Sequence, residues 1–444
     1  GRTVDTWAVD LTQNPSYANF NVNTDANAHS VDGAGTATGY TQFVVDGQPV
    51  NAWEVGYEEG IYVGYRYYET RGYEEAKTGN DGWYAQNVSY PFGYGLSYTT
   101  FDWDVKFDKA DGSAIKADDT LGVTVTVKNT GSVAGKDVVQ LYYSAPYDYE
   151  GDAIEKAYVV LGDFVKTDLL QPGESQEMKL SLKVSDMKSY DYADANKNGF
   201  AGYELDAGSY QLFVSSDAHT PKASATYDLG EAVQLATELN AQGEEVAVEN
   251  RFDDVSAGIY GTNTYASYVT RKDFAGTLPQ TYLADDARTL TDTLMTALDE
   301  SKKRKYTASD DGQPWQVTDG ATQVNAVNNG ISLRSMLEDS EGNLTGHVDY
   351  DDPRWEQLLD EISLDEMKNL VGFGAFRTNS VAGVDGIVDK PITNDADGPS
   401  GFTSFISEAD VYGTCLYQAE AVMGATWNVE LARQMGEVVG DEGN

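Results

Sequence analysis

The sequence predicts a multidomain chain, part all-β and part α/β, and three patterns carry that prediction. Leu121, Val123, Val125 and Val127 alternate with Gly122, Thr124, Thr126 and Lys128. The same period of two recurs at Met178, Leu180, Leu182 and Val184, and at Tyr210, Leu212 and Val214. Alternation of this kind puts the apolar side chains on one face, so each run reads as a half-buried strand. Later in the chain, Trp355, Leu358, Leu359 and Ile362 recur at helical spacing, and Ser363-Leu-Asp-Glu366 has the capping-box pattern of a following helix. Between 57 and 98, tyrosine and glycine are packed too densely for a generic domain.

Residues 1–100 join polar loops to that Tyr/Gly block. Over 101–232 the turn signals Asn129-Thr-Gly131, Gln171-Pro-Gly173 and Asn196-Lys-Asn-Gly199 separate the strands. Short strands with such punctuation read as an immunoglobulin-like or fibronectin-III-like β-sandwich. Residues 233–349 are polar, with one helical stripe at Leu290, Leu294 and Leu298, and read as a connector. In 350–444, Met367, Leu370 and Val371 are expected to face inward from the helix after the capping box. Ala425-Thr-Trp427 reads as a strand. Asn428 reads as the N-cap of a last helix with Leu431, Met435 and Val438 on its buried side. Strand–loop–helix order is α/β.

The chain has 444 residues, 41% of them hydrophobic, enough for two or three cored domains. Thirty Lys and Arg against 72 Asp and Glu give a formal charge of −42, which argues against nucleic acid and anionic membranes as partners. No apolar run approaches the roughly 18 residues of a membrane helix. Cys415 is the only cysteine, which excludes an intrachain disulfide and leans toward a reducing, cytoplasmic setting.

The block Glu59-Gly-Ile-Tyr-Val-Gly-Tyr-Arg-Tyr-Tyr-Glu-Thr70 and the block Tyr90-Pro-Phe-Gly-Tyr-Gly-Leu-Ser-Tyr98 resemble segments that close the α/β sandwich domain of glycoside hydrolase family 3. Val125-Thr-Val-Lys-Asn-Thr-Gly131 with Val138-Val-Gln-Leu-Tyr-Tyr143 is similar to the fibronectin-like module of that family. Asn394-Asp-Ala-Asp-Gly-Pro-Ser-Gly401 and Ala425-Thr-Trp-Asn428 resemble motifs near the start of its catalytic barrel. The Arg common after the first of these motifs is replaced here by Phe402-Thr-Ser404. The resemblance implies the end of an α/β sandwich domain at 1–100, a fibronectin-III-like β-sandwich at 101–232, a connector at 233–349 and the N-terminal part of a (β/α)8 barrel at 350–444. This is the reversed domain order of one family subgroup.

The resemblance also implies a retaining glycosidase, cofactor-free, acting on a β-glucoside or oligosaccharide. Such an enzyme needs a nucleophile and an acid/base carboxyl roughly 5 Å apart. A barrel needs about 250 residues, and roughly 95 follow residue 349. The nucleophile Asp and acid/base Glu are therefore expected outside the chain, which reads as an internal fragment, inactive alone. Asp397 is the one site residue carried over: in the family, the corresponding Asp accepts hydrogen bonds from sugar hydroxyls, a role suited to a carboxylate. Within the family, β-xylosidase and N-acetylglucosaminidase stay open. Outside it, the rival is a non-catalytic carbohydrate-binding or adhesive β-sandwich. Homodimerisation through the fibronectin-like module is compatible with the sequence and not required by it.

Other residues are weaker candidates. Asp395 reads as a turn residue. Asp194, Asn196, Asn198 and Gly199 mimic a calcium loop, but its twelfth position is Leu205 and Glu204 falls one residue early, so a hairpin turn is the better reading and no metal is expected. His29, His219 and His347 have no metal-ligand or Ser-His-Asp spacing. Cys415 reads as small and buried. The tyrosine block reads as packing in preference to a sugar platform, with Glu58, Glu59, Arg66 and Glu69 as an ion-paired surface.

Overall fold

The fold is described from a computed structural model, over residues 1–19, 40–45, 48–53, 59–151, 154–192, 194–240, 242–249, 268–278, 326–339, 341–345, 348–374, 377–394, 400–402 and 415–443. The chain divides into two units, Gly1–Lys303 with Ala421–Met435, and Arg304–Glu420 with Gly436–Asn444.

The first unit opens with β1 (Trp7–Ala8), α1 (Pro15–Asn19), the hairpin of β2 (Tyr40–Val45) and β3 (Gln48–Trp53), then α2 (Tyr65–Lys77), α3 (Trp83–Asn87) and β4 (Val88–Tyr90), which pairs back onto β1. A β-sandwich follows: β5 (Phe101–Phe107), β6 (Ser113–Ile115), β7 (Thr120–Asn129), β8 (Val138–Ser144), β9 (Val160–Lys166), β10 (Ser175–Lys183), β11 (Ser189–Asp191), β12 (Gly202–Leu205), β13 (Gly208–Ser215), β14 (Pro221–Leu229) and β15 (Val233–Leu235). One sheet has the order β10-β7-β5 and the other β6-β14-β13-β8-β9, while β11-β12-β15 form a small third sheet. The β6–β14 pair is parallel; the remaining pairs of these sheets are antiparallel. After them come the pair β16 (Thr237–Leu239) and β17 (Glu245–Ala247), and the short α4 (Phe274–Thr277).

The alternating residues make the core. Leu121, Val123, Val125 and Val127 of β7 face Met178, Leu180 and Leu182 of β10 across the ladder, and Tyr210, Leu212 and Val214 of β13 complete the opposite wall. Each such aliphatic side chain contributes about 1.5–3 kcal/mol on burial. At the turn after β7, Asn129 is fully buried and fully bonded. Its Nδ2 donates to Val133 O (2.8 Å) and Leu170 O (2.9 Å), and its Oδ1 accepts from Thr99 (2.7 Å) and Gly131 N (3.0 Å).

Strand β8 departs from alternation, because all seven of its residues are buried. Val139, Leu141 and Tyr143 point into the sandwich, while Tyr142 packs with Tyr65, Phe92 and Phe213 on the other face. The Tyr/Gly block therefore covers the outside of the five-stranded sheet. Tyr62, Tyr67, Tyr68 and Trp83 build a second core with Val269 and Phe274, in edge-to-face contacts 5.0–5.6 Å apart between Phe274 and the rings of Tyr62 and Tyr67. Packing is thus what most of this block does, although Leu96 and Tyr98 are exposed.

Two polar clamps fix the block to the sandwich. The Arg2 guanidinium donates to Asp137 (2.5 Å), Ser216 O (2.6 Å) and Gly93 O (3.1 Å). Arg271, almost wholly buried, pairs with Glu74 at 2.6 Å and sits 4.7 Å from the Tyr147 ring centre. The segment read as a connector thus lends Val269, Arg271 and Phe274 to this unit. Leu290, Leu294 and Leu298 lie outside the described residues.

Ala425–Trp427 is a turn, not the expected strand. Trp427 has a positive φ of 48°, and its ring lies 5.3 Å from Phe92 and 5.0 Å from Phe164. Asn428 does cap the helix Val429–Gly443, its Oδ1 accepting from Leu431 N at 3.1 Å. Leu431 and Val438, expected on a buried side, are exposed.

In the second unit, α5 (Leu333–Met336), α6 (Arg354–Leu359) and α7 (Leu364–Phe373) surround a core of Met336, Leu358, Ile362, Val381 and Val388. The predicted capping box forms: Ser363 accepts from Glu366 N, and Glu366 accepts from Ser363 N at 3.0 Å. Buried Glu361 holds a loop to this core, its Oε1 accepting from Asn329 N and Ile331 N, both at 2.8 Å. Leu359 and Val371, assigned inward from their spacing, are exposed; α6 is only six residues long, and Ile362, beyond its end, takes the buried place. The short strands β18 (Arg377–Thr378) and β19 (Thr393–Asn394) pair antiparallel.

Candidate functional site

Asp397, the residue assigned to sugar binding, and Asp395 lie outside the described residues, as do His29 and His347. What the structure describes is the frame on either side. On one side, β19 ends at Asn394, and Lys390 Nζ ties the hairpin by donating to the carbonyls of Pro391 (2.8 Å), Asn379 (3.0 Å) and Thr378 (3.3 Å). On the other, Ser400 O accepts from Tyr417 N at 2.8 Å. Cys415 is exposed, its N–H donating to Glu442 Oε1 at 3.2 Å, which corrects the buried assignment.

The first unit holds a cavity of about 350 Å³ between α2, α3 and the outer face of the five-stranded sheet. Tyr73 and Tyr158 stack along one side at 3.8 Å, and Tyr84 stacks on His219 at 3.6 Å along another. At its base lies Glu69, 4% exposed, accepting from Tyr84 OH on one oxygen and bonding His219 Nδ1 at 2.8 Å with the other. This corrects the reading of Glu59 and Glu69 as an ion-paired surface, since both are buried. Glu58 lies outside the described residues. Five consecutive residues of α2, Tyr67–Arg71, are buried, so the helix is enclosed on all sides over that stretch and its carboxylate is carried inward.

Burial pushes the Glu69 carboxyl up, and its bonds to His219 and Tyr84 only partly oppose that. Burial alone would lower the pKa of His219; the Glu69 carboxylate more than offsets this and holds the imidazole above its ordinary value. With both carboxylate oxygens engaged, Glu69 orients His219, which is the half-exposed member of the group. The cavity is of small-molecule size and ring-walled. Glu69 and His219 lie 150 positions apart, so no spacing signal links them. Tyr65, Tyr67 and Tyr68, interrupted by Arg66, are the one available hint that this part of the helix is enclosed.

The loop Asp191–Glu204 is a hairpin turn between β11 and β12, as read. Its Glu204, however, is 1% exposed and folded under the loop. Among the described residues, no three His, Cys, Asp or Glu side chains group as a metal cluster, and no helix is long and apolar enough to cross a membrane.

The sandwich defines the class: residues 137–218 match the fibronectin type III-like domain. Over the longer chain, Beta-glucosidase A of Butyrivibrio fibrisolvens is 30% identical across 404 residues, 87% of this chain and 42% of that protein. A beta-glucosidase of Ruminococcus albus is 34% identical over 229 residues, 52% of this chain and 19% of the relative. Among solved structures, a beta-glucosidase from Paenibacillus barengoltzii is 32% identical over 56% of this chain and 25% of its own, with a TM-score of 0.38. The chain spans less than half the length of these relatives. It is a relative of the β-glucosidases of glycoside hydrolase family 3.

Proposed function

We propose that the protein carrying this sequence hydrolyses terminal, non-reducing β-D-glucosyl residues by a retaining double displacement, with Asp397 binding hydroxyls of the cleaved sugar. The observation that carries this reading is the alignment with Beta-glucosidase A, which runs through 87% of the chain. It supports the order sandwich end, fibronectin-like module, connector and barrel start, with proposed bounds of 1–100, 101–232, 233–349 and 350–444. A carboxylate at 397 suits the role because charged hydrogen bonds to hydroxyls are the stronger kind. The hairpin that ends at Asn394 is pinned by Lys390.

The test is hydrolysis of p-nitrophenyl β-D-glucoside by the protein carrying this sequence, beside Asp397→Ala and beside the β-xyloside and N-acetyl-β-glucosaminide. Loss of one or two charged hydrogen bonds predicts that kcat/KM falls by about 100-fold or more in the variant. Equal turnover by Asp397→Ala, or faster turnover of either other glycoside, overturns the assignment.

A further inference from the structure

We propose that the hairpin loop between Asp191 and Glu204 binds a calcium ion, with Glu204, Asp191, Asn196 and Asn198 supplying oxygen ligands beneath and within the loop.

The argument begins with Glu204. It is 1% exposed, and its Oε1 is buried with no hydrogen-bond partner. Its Oε2 points into the loop, accepting from Asn198 Nδ2 at 2.7 Å and Asn196 Nδ2 at 3.2 Å. Buried polar atoms are almost always satisfied, so an orphaned carboxylate oxygen calls for an unseen partner. A second buried carboxylate lies beside it. The register pairs Ser189 with Glu204 and Asp191 with Gly202, which puts Asp191 and Glu204 diagonally on one face of the hairpin. Asp191 is 2% exposed. Two carboxylates side by side in a dry place repel each other, and a divalent cation between them removes that repulsion.

The donor set selects the ion. Calcium takes oxygens from carboxylates, asparagine side chains and the main chain, and tolerates irregular geometry. Asn196 and Asn198 now turn their amide nitrogens toward Glu204. Their Oδ1 atoms accept from Asn198 N at 3.1 Å and Phe200 N at 2.9 Å, so a half-turn of each amide gives up that bond and presents the carbonyl to an ion seated on the carboxylate. The loop is already wound for it: Asp194 accepts from Gly199 N at 3.1 Å, and Asp191 accepts from Ala195 N at 2.7 Å. Counting to the twelfth position fails here because that rule belongs to a helix-flanked loop. In a hairpin, the strand register decides which acid lies beneath the loop, and it selects Glu204.

The test uses the whole chain, stripped with EGTA. Calorimetric titration with CaCl2 should show one saturable site, and CaCl2 at about a hundred times the Kd should raise the Tm by roughly 5 °C or more. Glu204→Gln should weaken binding about tenfold or more by removing the buried charge. Asn198→Ala, at an exposed position that leaves the hairpin core intact, should also weaken it, so a failure of Glu204→Gln to fold does not block the test. Glu177→Gln, at an exposed position of β10, should bind as the parent does. The formal charge of −42 attracts cations generally, so the assignment rests on these variants. No saturable heat with equal Tm in EGTA and CaCl2 overturns the proposal, as does unchanged binding in both Glu204→Gln and Asn198→Ala.

Discussion

Replacing Gly93 by alanine should loosen the first unit by an amount that the local geometry fixes. Gly93 has φ +79°, a conformation that costs an L-residue about 1–2 kcal/mol. An added Cβ would also lie 2.2 Å from Gln140 Oε1 and 2.9 Å from its Cδ. Gln140 has nowhere free to go. It is fully buried, its Oε1 accepts from Tyr142 OH at 2.6 Å, and its Nε2 donates to Ser216 O at 2.7 Å. Admitting the methyl breaks at least one of these buried bonds, a further loss of about 1–3 kcal/mol. Together the two effects come to about 2–5 kcal/mol, and at about 2–4 °C per kcal/mol they lower the Tm of this unit by about 5 °C or more. Thermal unfolding followed by tryptophan fluorescence reads the shift. The double variant Gly93→Ala with Gln140→Ala separates the two parts, because deleting the obstructing side chain should make it less unstable than the two single losses added. A Tm within about 1 °C of the parent for Gly93→Ala, or strict additivity in the double variant, would refute the reasoning.

Three further outcomes follow from the packing and the charges. Leu212→Ala removes a fully buried side chain from the sandwich core and should cost about 2–5 kcal/mol in urea unfolding. Ser363→Ala removes the cap of α7 and should cost about 1 kcal/mol, read as faster amide exchange in that helix. His219 should titrate above the ordinary imidazole value in an NMR titration of the three histidines, and in Glu69→Gln its pKa should fall, since of the two carboxylates that oppose burial only Asp217 then remains. Because the folded pKa is raised, the stability His219 contributes is fully present below the ordinary value and is lost as pH rises through the folded one. An unchanged His219 pKa in Glu69→Gln would show that the 2.8 Å contact does not govern it.

How much the sequence discloses depends on the range of the interaction. The strands at 121–127, 178–184 and 210–214 were legible because alternation records a single buried face, and the capping box at Ser363 because it is a contact over three residues. Strand β8 was harder, since both of its faces are covered and no alternation survives. Leu359 and Val371 were misassigned because spacing marks a face without saying what covers it. Glu69 with His219, and Glu204 beneath its loop, were invisible for a related reason: burial of a carboxylate is decided by partners that the local sequence does not name. Asp397 could be read only through resemblance, as a turn before Gly398-Pro399 carries no chemistry of its own.

The contact of Trp427 with Phe92 and Phe164 has a consequence for how the chain is made. Roughly 335 residues separate Phe92 from Trp427, and synthesis proceeds at about 5–20 residues per second, so the two rings wait on the order of 15–70 s for their cover. Phe274 reaches the tyrosines of α2 earlier, but still long after they leave the ribosome. The sandwich strands can pair as they emerge, whereas the aromatic surfaces outside them are completed only when distant segments arrive. During that interval an aromatic patch on a half-made protein is open to chaperones and to neighbouring nascent chains, so the yield of this protein should depend on translation speed more than the stability of the finished fold does.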